Sequence, residues 1–253
     1  MLEIIDHGTI REIKLNRPPA NAINPELAEA LGEAFEAAGD EAEALVVSGQ
    51  PGMFSAGLDV PELIKLDHAE MSEFWNLFQR NLKAIACMPI PTVFAMTGHS
   101  PAGGIVMGIF SDYRIMPRGG PRSPYKTGLN EVRVGLVAPY PAQRALARVV
   151  GEHVAERILV AGEMRTAERA LEIGLVDELA DDPEAVVSRA LEWCEEHLAL
   201  PRQAMLETRS MTRAGLRGFI EKATYQDAEL FVAKWFEDQT QATLRAMVER
   251  LKK

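Results

Sequence analysis

Along the first fifteen residues, apolar and polar positions alternate over residues 2–6 and 9–15, on either side of His7-Gly8. Alternation with a period of two turns one face of a strand toward a core, and a glycine permits a tight reversal, so the segment predicts a β-hairpin. Pro18-Pro19 then breaks regular structure. From Pro25 the period changes: Leu27, Leu31 and Phe35 recur at helical spacing, with Gly39 as the expected stop. Ala44-Leu45-Val46-Val47-Ser48 reads as a short buried strand, followed by the turn residues Gly49-Gln50-Pro51-Gly52. Residues 68–88 carry a long amphipathic helical pattern. Thr92 to Met96 is a second buried strand, and Pro101 to Ile109 opens another helix.

Residues 115–127 hold three prolines and two glycines, which predicts a loop, and Glu131-Val132-Arg133-Val134 alternates like a short strand. From about residue 141 the pattern is helical throughout, except for a short strand expected at Leu175-Val176-Asp177. Strands alternating with helices argue for an α/β architecture with crossover connections. Strand signals cease toward the C-terminus, which divides the chain into an α/β core over residues 1–197 and a helical region over residues 198–253, with Pro201 near the boundary. No internal repeat or low-complexity segment is visible.

Charge narrows the partners. The 253 residues carry a formal net charge of −10, which opposes non-specific attraction to nucleic acid or to an anionic membrane surface. An anionic substrate stays possible, because a few well-placed Lys or Arg residues can override the global field locally. The two cysteines, Cys87 and Cys194, lack metal-ligand spacing and are expected as buried free thiols in a reducing compartment. The five histidines also lack ligand spacing, so no metal site is expected. Met1 to Asp6 has no basic segment followed by an apolar run, and no apolar stretch approaches the roughly 20 residues needed to cross a bilayer. A cytoplasmic protein without membrane contact is the expectation.

Two glycine-containing turns follow strands: Phe54-Ser55-Ala56-Gly57-Leu58-Asp59 and Gly98-His99-Ser100-Pro101-Ala102-Gly103-Gly104. Small residues there let a ligand approach the backbone, and the second turn leads into a helix whose first N–H groups lack intrahelical partners. Two such turns facing one another could aim a pair of N–H donors at a developing oxyanion. Each turn alone is equally a plain strand-to-helix connection. Neither matches G-x-G-x-x-G or G-x-x-x-x-G-K-[ST], so a nucleotide-dependent dehydrogenase or kinase lacks its main requirement.

In order along the chain, Leu15-Asn16-Arg17-Pro18 with Asn21-Ala22-Ile23-Asn24, the Phe54–Asp59 turn, Pro101-Ala102-Gly103-Gly104, Ser111-Asp112-Tyr113-Arg114, Arg165-Thr166-Ala167 and Ala170 to Asp177 resemble successive motifs of the crotonase (enoyl-CoA hydratase/isomerase) family. The resemblance runs from about residue 9 to the C-terminus. It implies a crotonase-like α/β fold, a spiral of ββα units with a helical C-terminal region, assembled as a homotrimer or a dimer of trimers. It implies an acyl-CoA thioester as substrate, with no further cofactor. By the same resemblance the N–H groups of Leu58 and Gly103 form an oxyanion hole for the thioester carbonyl. Ala22 and Ala56 line the adenine end of the CoA site, with Gly57 and Gly104 as neighbouring backbone positions.

Hydratases of this family resemble one another in having two catalytic glutamates. Here the first position is Val106 and the second is Glu131. Hydration must activate water and deliver a proton to C2, work naturally divided between two carboxyl groups; moving a double bond needs one group that carries a proton from C2 to C4. Leu129-Asn130-Glu131, Gly135-Leu136-Val137-Ala138-Pro139 and the C-terminal Glu249-Arg250-Leu251-Lys252 also resemble the mitochondrial-type Δ3,Δ2-enoyl-CoA isomerases. The resemblance therefore points to isomerisation with Glu131 as base and proton carrier. Hydratase, thioesterase or decarboxylase activity, and a non-catalytic acyl-CoA-binding protein, stand as alternatives.

Arg133 shares the parity of Glu131 on the expected strand and is its candidate partner. Asp59 follows a turn at a helix start, where capping is the expected role. His99 and Ser100 are neighbours without a third group that would make a triad. Phe231, Trp235 and Phe236 at helical spacing are expected to pack. Lys234, Lys252 and Lys253 read as solvated helix positions that could also reach CoA phosphates.

Overall fold

β1 (Leu2–His7) and β2 (Ile10–Leu15) form the expected hairpin, in register from Leu2 opposite Leu15 to His7 opposite Ile10. The computed structural model describes residues 1–119, 123–222 and 225–251, with the side chains of 225–227 left aside. Residues 120–122 of the expected loop, and Lys252 and Lys253, lie outside the described residues. α1 (Pro25–Glu41) starts where Asn24 accepts a hydrogen bond from the Leu27 N–H, with proline in the first turn. It runs through Gly39 instead of stopping there. One glycine costs a helix only about 1 kcal/mol, which the buried face of Leu27, Leu31, Phe35 and Ala38 readily offsets.

The chain then repeats one plan. β3 (Ala44–Ser48) enters a large sheet, β4 (Gly52–Met53) a small one, and α2 (Val60–Leu63) and α3 (His68–Cys87) follow. β5 (Thr92–Ala95) enters the large sheet, β6 (Gly98–Pro101) the small one, and α4 (Gly103–Gly108) follows. β7 (Tyr113–Pro117) and β8 (Lys126–Gly128) add the third pair. This is the expected spiral of ββα units. β4 and β6 approach so closely that a Cβ on Gly98 would lie 2.1 Å from the Gly52 carbonyl carbon, so only glycine fits there.

After a 3-10 turn (Glu131–Val134) come α5 (Tyr140–Val150), α6 (Glu152–Ala161), β9 (Arg165–Thr166), α7 (Ala167–Glu172), β10 (Glu178–Ala180) and α8 (Pro183–Leu198). The large sheet has the order β1-β2-β3-β5-β7-β10, parallel from β2 onward, and the small one the order β4-β6-β8-β9. Both faces of the large sheet are covered. Leu45, Val47 and Phe94 face α1 and α3, while Val46, Val93 and Ile115 face Val186, Ala190 and Cys194 of α8. That explains why these strands read as continuous apolar runs.

Several further expectations need correction: the helix expected from Pro101 starts at Gly103, with Pro101 in β6, and the stretch after residue 141 holds the extra strand β9. Residues 115–117 belong to the buried strand β7, and 126–127 to β8; Pro117 is the last residue of its strand, where a missing N–H costs little ladder bonding. Glu131–Val134 is the 3-10 turn, not a strand, closed by Gly135 at φ 82°. The strand expected at 175–177 begins three residues later, at Glu178, after the Asp177 N–H has bonded to the Arg114 carbonyl.

The C-terminal helices are α9 (Arg202–Thr212), α10 (Ala214–Lys222), α11 (Tyr225–Trp235) and α12 (Asp238–Leu251). Arg209 and Arg213 anchor them to the core through Asp112, each at 2.8 Å, and through carbonyls ending α3 and α4. α10 and α11 then lie on α3. Cys194 is buried and Cys87 half-buried, both as free thiols. No helix among the described residues is long and apolar enough to cross a membrane.

Candidate active site

The turn after β4 is positioned by the segment at residues 17–24. Buried Asn21 accepts a hydrogen bond from the Arg17 N–H and donates to the Phe54 carbonyl. Arg17 bonds to Asp59 at 2.7 Å and to Glu62 at 2.5 Å, while Asp59 caps α2 by accepting from the Glu62 N–H. Asp59 thus holds the turn in place, in keeping with the expected capping role.

The pairing of Ile23 with Leu58 leaves one donor free. Its hydrogen bonds run from the Ile23 N–H to the Gly57 carbonyl and from the Asp59 N–H to the Ile23 carbonyl. Alternation along the strand turns the Leu58 N–H away from that partner. Gly103 is the first residue of α4, so its N–H has no intrahelical carbonyl. Ala102 before it sits at φ 44°, ψ −122°, a conformation residues with side chains rarely adopt. The Ala102 N–H donates to the Gly128 carbonyl and the Ala102 carbonyl accepts from the Val106 N–H, so the peptides on both sides of the residue are held. Strain of this kind costs on the order of 1–3 kcal/mol and marks a site where surrounding structure imposes the conformation.

The two turns touch. A Cβ on Gly57, itself at φ 84°, would lie 2.9 Å from the Gly103 nitrogen, and one on Gly103 would lie 3.4 Å from the Leu58 nitrogen. The two donors therefore belong to one patch of backbone. Beside it is a cavity of about 180 Å³, lined by Leu58, Gly103, Ala56, Val106 and Glu131 and otherwise walled mostly by apolar side chains. Among the described residues that line it, Glu131 is the only ionisable one.

Glu131 opens the 3-10 turn, and its carbonyl accepts from the Leu136 N–H at 3.0 Å, which folds the chain back around the carboxyl group. The carboxylate Oε2 is buried without a hydrogen-bond partner. Burial away from water raises the pKa from the ordinary 4.5 to about 7, and a contact with the residue's own backbone N–H opposes this more weakly. Arg133 is not its partner: on a 3-10 turn the two side chains diverge, and Arg133 Nε donates to the Gly162 carbonyl at 2.5 Å. A carboxyl group poised near neutrality, in an apolar cavity beside two free N–H donors, is suited to take a proton from a carbon next to a carbonyl.

Of the other residues singled out, Ala56 lines the cavity, whereas Ala22, Gly57 and Gly104 do not. The Ala22 carbonyl accepts from Arg17, and Gly104 packs against Ser55 and Ser100, where a Cβ would lie 2.9 Å from the Ser100 Oγ. His99 Nδ1 accepts from the Lys126 N–H and Ser100 Oγ is buried without a partner, so no His99–Ser100 hydrogen bond exists. Lys234 is paired with Glu237 at 2.5 Å. The cavity also takes Trp75 and Phe78 from α3, Phe231 from α11 and Met247 from α12. In the sequence these are ordinary positions of helical apolar stripes, which carry no signal separating cavity wall from core.

Residues 6–253 match the family model described as enoyl-CoA hydratase/isomerase. The chain belongs to that family. Among curated relatives, the rat (Rattus norvegicus) mitochondrial enoyl-CoA delta isomerase 1 is 30% identical over 246 residues, 96% of this chain and 84% of that protein. A probable enoyl-CoA hydratase of Mycobacterium avium (strain 104) is 33% identical over 193 residues, 76% of this chain and 73% of that protein. The crystal structure of human mitochondrial delta3-delta2-enoyl-CoA isomerase superposes with a TM-score of 0.91 at 29% identity, over 99% of this chain and 98% of that one. The crotonase-like fold and family expected from the motifs are thus those of the protein.

Proposed function

We propose that this crotonase is a Δ3,Δ2-enoyl-CoA isomerase that moves a 3-enoyl double bond to the trans-2 position. The observation that carries the reading is the solitary Glu131 carboxyl, with apolar Val106 at the position where hydratases of the family resemble one another in carrying a second glutamate. The Glu131 carboxylate takes a proton from C2, and the electrons spread into a dienolate whose oxygen accepts from the Leu58 and Gly103 N–H groups. The Glu131 carboxylic acid then returns the same proton to C4, leaving the double bond between C2 and C3. Each group ends as it began. Water is not consumed, and the proton transfer calls for no cofactor beyond the thioester substrate.

For the CoA moiety, the reading places the adenine end near the backbone of Ala22 and Ala56, with Gly57 and Gly104 keeping the adjoining turns close. Assembly as a homotrimer or a dimer of trimers is supported by exposed Val132, Val137, Tyr140 and Val160 near the site. A cytoplasmic location is supported by the two free thiols, although the isomerases named above are mitochondrial. Light scattering of the purified protein and cell fractionation test these two points.

The deciding experiment follows trans-3-hexenoyl-CoA by the ultraviolet absorbance of the conjugated 2-enoyl thioester. Absorbance should rise with the wild type and fall by roughly 10²–10⁴ in rate with Glu131→Gln, while acyl-CoA still binds. Undiminished turnover in that variant would remove Glu131 from the mechanism. The mycobacterial relative favours hydration as the second reading. Hydration of crotonyl-CoA without isomerisation of the 3-enoyl ester would establish it, and binding without turnover of either would indicate a non-catalytic protein.

A further inference from the structure

We propose that the stacked rings of Trp75 and Phe231, with Met247 lining the same cavity, set the upper length of the acyl tail. This rests on reading the cavity at Glu131 as the acyl site. The cavity has one polar region, formed by the Leu58 and Gly103 N–H groups with Asn130 and Glu131. Its apolar part reaches α3 at Trp75 and Phe78 and is limited by Phe231 and Met247 from the C-terminal helices. A thioester whose carbonyl meets the two donors and whose C2 to C4 pass Glu131 sends its tail toward these rings.

Nothing behind them yields easily. The Trp75 and Phe231 rings are nearly parallel, 5° apart in plane, with centroids 3.4 Å apart. The Phe78 ring packs 5.5 Å from Trp75, and Trp235, fully buried, lies 6.2 Å from Phe231. The Trp75 Nε1 is buried without a hydrogen-bond partner, so packing alone, chiefly against Phe231, fixes the indole. A tail that reaches these rings meets the stack. A longer tail must part the stack. Phe231 and Met247 belong to α11 and α12, while Trp75 and the reacting groups belong to the core, so the C-terminal helices bear on tail length alone.

The test pairs binding with turnover. Calorimetry with saturated acyl-CoA esters of 4 to 14 carbons, and initial rates with the matching 3-enoyl esters, are measured for wild type, Phe231→Ala and Met247→Trp. For wild type, affinity should rise about fourfold per methylene while the tail is being buried, then stop rising. Phe231→Ala should move that break to longer tails and raise the dodecanoyl-to-hexanoyl affinity ratio roughly tenfold. Met247→Trp should move it to shorter ones. An affinity that climbs without a break through 14 carbons, or a break that neither variant moves, overturns the proposal. If Phe231→Ala fails to fold by circular dichroism, Met247→Trp decides alone. A movable break in binding with no isomerisation of any ester would leave this proposal standing and remove the isomerase reading; isomerisation with an unmoved break would do the reverse.

Discussion

Substituting Gln for Glu131 removes a charge that the fold holds with only the residue's own backbone N–H against it, so the variant should be more stable than the wild type wherever that charge is present. Glu131 binds its proton up to about pH 7 in the native state, against an ordinary 4.5 in the unfolded chain. Between those two values the native protein holds a proton that the unfolded chain has already released. Stability therefore falls as pH rises from about 4.5 to about 7 and stays at the lower level above. At roughly 1.36 kcal/mol per pH unit the gap amounts to about 3 kcal/mol. Gln keeps the shape and has no charge to desolvate. Glu131→Gln should accordingly exceed the wild type by up to about 3 kcal/mol at pH 8, or roughly 6–12 °C in melting temperature for a chain of this size, and by little near pH 5. Differential scanning calorimetry from pH 5 to 9 reads the difference directly. A difference that does not vary with pH, or a wild type that is the more stable at pH 8, would refute the reasoning, because either would mean that the carboxylate is compensated.

Activity should run opposite to stability: kcat/KM for trans-3-hexenoyl-CoA is expected to rise with pH through about 7, as the base ionises, and a profile already flat at pH 5.5 would contradict it. Gly57→Ala places a Cβ 2.9 Å from the Gly103 nitrogen at a positive φ. It should cost about 1–3 kcal/mol in stability and on the order of 10²–10³ in kcat, read by thermal melts and by the same absorbance assay. Asp112→Asn leaves Arg213 buried and Arg209 nearly so without their carboxylate, and urea unfolding should show a loss of about 3–5 kcal/mol. Val106→Glu introduces a second carboxyl beside the first; the acid limb of the pH profile should move above 7, and crotonyl-CoA hydration, assayed as loss of absorbance, should become detectable.

How far the sequence could be read depended on the range of the interactions. The hairpin, β3, α1 and α3 were legible because each is decided by its own period and by local caps, such as Asp67 and Glu70, whose side chains bond reciprocally across the first turn of α3. The two glycine turns were legible as backbone-exposing, and their contact fits the motif reading. Glu131–Val134 was misread because four residues of alternating polarity satisfy a strand as well as a turn. What decides it is Gly135 in the left-handed region, with Thr240 of α12 bonding to its carbonyl across 105 residues. The proline-rich stretch was misread for a related reason: Pro117 ends a strand whose burial comes from β5 and β10 on either side. The walls at Trp75, Phe231 and Met247 were invisible as such, since a ring facing a cavity and a ring facing a core have the same helical spacing.

The arrangement at Glu131 also ties the choice of reaction to the polarity of one wall. Val106 is nearly fully buried and lines the cavity with Glu131, so it excludes water and keeps a second charge away. Burial holds the Glu131 pKa near neutrality, which in the proposed reaction would let the group both accept a proton from C2 and return it to C4 at one pH. A second carboxyl at position 106 would help activate water, but two neighbouring carboxyl groups cannot both stay ionised, and their proton affinities would be driven apart. One would hold its proton and the other would bind it weakly, a division suited to adding water and poorly suited to shuttling one proton between two carbons. On that reading the apolar residue at 106 and the carboxylate at 131 act as one device, and the stability lost between about pH 4.5 and 7 is its cost.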